Sequence, residues 1–135
     1  MKNLAFGLPV LIVLGMLTFQ PVGAKPIKET SQAAFSKDVL TSEKPVVVDF
    51  FATWCGPCKR MEPVLDDLAK LYGGKASFLR VDIDKNHQLA EQFNISAIPA
   101  ILIFKNGKAV DNSIGLVPKD QLWKKIEAVV AGSSQ

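Results

Sequence analysis

Histidine and cysteine are scarce in this chain: 135 residues hold one of the first and two of the second. A four-ligand zinc site cannot be closed from so few donors, because His87 lies far along the chain from both cysteines. Strong charge is missing too. The 16 Lys and Arg nearly balance the 13 Asp and Glu, and a net charge of +3 is too weak to imply a nucleic-acid partner. No internal repeat and no low-complexity segment is present. What remains is 48% hydrophobic and 21% charged, an ordinary balance for one compact domain.

The first 24 residues differ in kind from the rest. Lys2 precedes an uncharged, mostly apolar run from Leu4 to Phe19, and small residues at Val22 and Ala24 offer a peptidase site. This layout predicts an export signal over residues 1–24, with the working domain at residues 25–135. Left uncut, residues 4–22 would be a marginal membrane anchor. Either outcome places the domain outside the cytoplasm, in a periplasmic or similar compartment. Removing Lys2 with the signal lowers the net charge to +2.

Along the remaining chain, Ser31 can cap a helix to about Leu40 that shows Phe35 and Val39 on one face. Pro45–Phe51 reads as a buried central strand interrupted only by Asp49. Met61, Leu65, Leu68 and Tyr72 draw an apolar stripe along a helix that ends at Gly73-Gly74, with Pro63 expected to kink it. Ala76–Ile83 alternates as a strand, and Asn86–Phe93 is a short helix carrying a solvated His87. Pro99–Phe104 and Lys108–Ile114 are strands joined by an Asn106-Gly107 turn. Leu122, Ile126, Val129 and Val130 mark a closing helix whose Lys124 and Lys125 read as a solvated face. The order β-α-β-α-β-α-β-β-α predicts an α/β fold, a central mixed β-sheet flanked by helices on both faces.

In an exported domain two cysteines usually form a structural staple, but Cys55 and Cys58 would close too short a loop to remove much unfolded-chain entropy. Their setting suits chemistry instead. Between a buried strand and an amphipathic helix, Cys55 falls at a helix N-terminus, where free N–H groups and the dipole favour a thiolate. Cys55 is thus the expected nucleophile and Cys58, one turn further in, the resolving thiol. Asp49, acidic in an apolar strand, is the expected proton acceptor for Cys58, its pKa raised by burial. Trp54 supplies apolar contact area beside the nucleophile.

Trp54-Cys55-Gly56-Pro57-Cys58-Lys59, with Val48-Asp49-Phe50, Pro63, Ile98-Pro99, Phe104-Lys105-Asn106-Gly107 and Gly115 at matching separations, resembles the thioredoxin family over nearly all of residues 25–135. The resemblance implies the thioredoxin fold and a cis-proline at Pro99 facing the cysteines. It implies a shallow client surface made by Trp54, Gly56, Pro57, Ile98, Pro99 and Gly115, with Ile98 offering its backbone to an extended segment. The Gly56-Pro57 dipeptide implies a reductant. Neither a metal nor an organic cofactor is expected.

The sequence departs from the family pattern at Phe51, where thioredoxins often carry Trp, at Ala100, where Thr is common, and at Arg80, where many have Lys beside the buried aspartate. A guanidinium holds its charge more firmly than an ammonium, so the last change bears on Asp49. The expected activity is a protein-disulfide reductase acting on oxidised protein substrates, monomeric and recharged by a membrane thiol electron donor. The alternatives are a disulfide oxidase or isomerase, or a non-catalytic binding module of the same fold.

Overall fold

The computed structural model describes residues 27–133; the expected signal and anchor lie outside the described residues. Val46–Phe51 forms β2, and all six of its residues are buried. A strand without an exposed position needs cover on both faces and partners on both edges. It has them. β2 pairs in parallel with β3 (Ser77–Asp82) and antiparallel with β4 (Ala100–Lys105). The short β1 (Lys28–Glu29) adds to β3, and β5 (Lys108–Ile114) to β4, giving a mixed sheet in the order β1-β3-β2-β4-β5.

Alternate residues of β2 face different layers. Val46, Val48 and Phe50 pack with Phe35 and Val39 from the first helix and Leu89 from α3 (His87–Gln92). Val47, on the opposite face, packs with Met61, Leu65 and Leu68 of α2 (Gly56–Tyr72) and Leu122 and Ile126 of α4 (Lys119–Gly132). The expected apolar stripe of α2 is the buried one, and the helix stops at Gly73 in a left-handed conformation. The expected fold class and element order are therefore observed.

Two local details differ from expectation. The first helix is regular only over α1 (Gln32–Phe35), capped by Ser31; over Ser36–Leu40 it widens to a π-type turn closed by the Thr41 N–H on the Ser36 carbonyl at 3.0 Å. Lys125 is not simply solvated. It reaches from α4 to the Asp111 carboxylate at 3.0 Å and also donates to the Asn112 carbonyl of β5.

The turn between β4 and β5 follows the expected Asn-Gly chemistry, with φ of 51° at Asn106 and 78° at Gly107. Gly107 is also held by its neighbour: a Cβ there would stand 2.7 Å from the Leu40 carbonyl oxygen. Gly107→Ala combines a left-handed conformation with a backbone clash, so it should destabilise the protein by more than about 1 kcal/mol in denaturant unfolding. Gly115→Ala, strained in φ but with open space at its Cβ, should cost less.

Candidate active site

The C-terminal end of β2 delivers the chain into a tight turn, Ala52–Cys55, from which α2 begins. Cys55 is the N-cap of α2, with extended backbone, and its Sγ accepts the Cys58 N–H at 3.2 Å. One of the helix's unpaired donors is thereby aimed at sulfur, as the expected thiolate site requires. The two cysteines form a disulfide with their Cα atoms 5.3 Å apart. Both are largely buried, Cys58 the more so at 1% exposure against 5% for Cys55. Pro57 lies in the first turn of the helix, where its missing N–H leaves no bond unmade.

Phe51 and Ala52 pack with the cysteines, and Ile83 and Ile98 complete the apolar surround. Trp54 is 69% exposed. It is nonetheless held, because its indole N–H donates to Asp84 Oδ2 at 2.8 Å. Across the site the Ile98–Pro99 peptide is cis, as the resemblance implied. The Pro99 carbonyl accepts the Gly115 N–H at 2.7 Å, which ties the cis-proline loop to the end of β5. Ile98 itself makes no backbone hydrogen bond to any described residue. Trp54, Gly56, Pro57, Ile98, Pro99 and Gly115 thus lie on the segments that converge on the disulfide.

Asp49 lies deeper. It shares a face of β2 with Phe51, one pleat away, and hydrogen-bonds to neither cysteine. Its Oδ2 accepts Arg80 Nε–H at 3.1 Å, directly across the β2–β3 register. The Arg80 guanidinium lies 3.9 Å from the Phe51 ring centroid, and its Nη1–H donates to Glu62 Oε1 at 3.1 Å. Burial pushes the Asp49 pKa up to about 6, opposed by the charge and hydrogen bond of Arg80 and assisted by the negative charge of Glu62. The sequence does not mark Glu62 or Asp84 as site residues. Each acts across space on a distant partner, and nothing in its local pattern marks it.

A carboxyl whose proton is held more tightly in the folded state than in the unfolded chain makes its stability contribution at low pH and loses it as pH rises through the folded value. The stability difference between wild type and Asp49→Asn should therefore shift against the wild type by about 3 kcal/mol between about pH 3.5 and 7.5. Denaturant unfolding of both proteins across that range measures it. A constant difference would show that Asp49 ionises as freely in the folded protein as in the unfolded one.

Comparison with known proteins agrees with this geometry. The thioredoxin family model matches residues 26–128. Thioredoxin of Synechocystis sp. is 44% identical over 99 residues, covering 73% of this chain and 92% of that protein. The chloroplastic thioredoxin M-type of Spinacia oleracea is 45% identical over 103 residues, 76% of this chain and 57% of its own length. Thioredoxin of Rhodospirillum rubrum is 39% identical over 104 residues, 77% of this chain and all of that protein. With a disulfide at the N-terminus of α2, a cis-proline opposite it, a family model matched over residues 26–128 and two of these relatives covered over nine-tenths or more of their length, the chain belongs to the thioredoxin family and is a thiol-disulfide oxidoreductase.

Proposed function

We propose that this protein reduces disulfides of oxidised proteins outside the cytoplasm, receiving its electrons from a membrane thiol carrier. The observation that carries the catalytic reading is the Cys58 N–H directed at Cys55 Sγ on the helix N-terminus, beside exposed Trp54 and the unpaired backbone of Ile98. The compartment rests on the character of residues 1–24, a charged start, an apolar centre and small residues at Val22 and Ala24. A compartment without soluble cytosolic donors requires that reducing equivalents cross the membrane.

In the reduced protein the Cys55 thiolate attacks a client disulfide, forming a Cys55–client mixed disulfide and releasing one client thiolate. The client segment lies extended against Ile98, its backbone pairing there, with Trp54 and Gly115 flanking the reacting sulfurs. Cys58 then gives its proton towards Asp49 and attacks Cys55 Sγ. The second client thiolate leaves, two electrons have passed to the client, and the intramolecular disulfide seen here is restored. Recharging runs the same steps in reverse, with the donor dithiol attacking Cys55 Sγ and Asp49 returning a proton to Cys58. A monomer suffices, because every group invoked comes from one chain.

Two sulfur substitutions separate the steps. Cys55→Ser should abolish insulin reduction in dithiothreitol, whereas Cys58→Ser should lose turnover and accumulate client mixed disulfides. Equal rates for both variants and the wild type would make the fold a binding module. Direction is read from the redox potential in glutathione or dithiothreitol buffers. The Gly56-Pro57 pair points towards the roughly −270 mV established for thioredoxin itself, and a potential above about −180 mV would assign the protein to oxidation or isomerisation. Export is read from cell fractions, where the mature chain should begin at Lys25 outside the cytoplasm.

A further inference from the structure

Arg80 is positioned from three sides. Its Nε–H serves Asp49 Oδ2, its Nη1–H serves Glu62 Oε1, both at 3.1 Å, and its guanidinium lies over the Phe51 ring. A guanidinium beside a carboxylate ordinarily closes a two-point fork with it. That fork is not closed here. Arg80 Nη2, on the same edge of the guanidinium as Nε, and Asp49 Oδ1 are both buried without a hydrogen-bond partner among the described residues. Two complementary groups, each costly to leave unmade, thus belong to residues already joined by the Nε–Oδ2 hydrogen bond.

Glu62 shares the same guanidinium. It projects from α2, four residues after Cys58, and holds the guanidinium by the nitrogen opposite to the one Asp49 would use. The same arginine borders a cavity of about 70 Å³ lined by Ile27, Glu62, Leu65, Asp66 and Arg80, which leaves the group room to move. We propose that Glu62 is a positioning residue for thiol-disulfide exchange: by holding Nη1 it keeps Arg80 to a single hydrogen bond on Asp49 and leaves Oδ1 available for the proton of Cys58. This rests on the reading of Asp49 as the proton partner of Cys58.

The surrounding charges support one direction of effect. β3 presents Arg80 to Asp49, and α2 presents Glu62, with Asp66 on the cavity wall and Cys58 in the adjoining apolar cluster. β4 places uncharged Ile101 opposite Asp49. Removing the charge of Glu62 takes away a group that disfavours the Asp49 carboxylate and frees Arg80 to close the fork that favours it. Both changes draw the Asp49 carboxyl towards stronger acidity.

Glu62→Gln is the test, since Glu62 is half-exposed and the amide keeps its shape. In the full chain, the Asp49 carboxyl followed by carbon-13 NMR should titrate about one pH unit lower than in wild type. The resolving step, timed by stopped flow on the preformed mixed disulfide, should slow roughly threefold to tenfold near neutral pH as Asp49 becomes the weaker base. An unmoved or raised Asp49 midpoint overturns the proposal, and slower turnover with an unmoved midpoint does so as well, marking Glu62 as a packing contact. Should wild type and Cys58→Ser resolve client disulfides alike, the functional reading fails separately, while the carboxyl titration still reports whether Glu62 governs Asp49.

Discussion

A sheet strand covered on both faces cannot direct a polar side chain to water, and β2 carries a carboxylate in that position. The resulting confinement of Asp49 organises much of the site. Burial alone makes a charged carboxylate costly, and the structure answers with one cation, Arg80, supplied by the neighbouring parallel strand at the matching register position. Because β2 and β3 run parallel, their C-terminal ends lie together. One leads to the cysteine turn and the other to Ile83 and Asp84, so the strand pair that encloses the acid also builds the floor beneath the disulfide.

The electrostatic balance is set by how completely that cation is committed. A guanidinium given wholly to Asp49 would hold the carboxyl ionised well below neutrality. Shared with Glu62 and with the face of Phe51, it leaves burial the larger influence, and the acid titrates near 6. Phe51 thereby takes part in two environments. Its ring receives the guanidinium and also packs in the cluster of Cys55 and Cys58, so a change in Arg80 is felt next to the sulfurs through one rigid side chain.

Features written in neighbouring residues were legible from the sequence. The apolar run of β2, broken only by Asp49, the Met61–Leu65–Leu68–Tyr72 stripe and the Asn106-Gly107 turn each state a local geometry, and each occurs as read. Asp49 stood out because a charge in such a strand demands a reason. The cis peptide before Pro99 was legible through family resemblance, since neither isomer leaves a local sign. What stayed hidden joins residues far apart in sequence. Trp54 meets Asp84 across 30 positions, Arg80 meets Glu62 across 18, and Lys125 meets Asp111 across 14. No periodicity encodes such pairs, and a lysine bound to a strand reads like one in water until the fold is known. The widened turn at Ser36–Leu40 escaped for a different reason, because Phe35 and Val39 keep the spacing of a regular helix while the backbone between them does not.

The sheet ends in β5, whose outer backbone is open to whatever strand arrives, yet several features of this margin discourage pairing. The register slips between Ile103 and Phe104, so that Ala109 and Asp111 take successive partners and Val110 stands out as an extra residue. Lys125 occupies the Asn112 carbonyl, a group an incoming strand would otherwise use. At the other margin β1 is only two residues long. A thiol-disulfide oxidoreductase must meet oxidised protein substrates without being captured by them. Here adhesion is discouraged along the borders of the sheet, whereas the backbone left unpaired at Ile98 lies beside the disulfide.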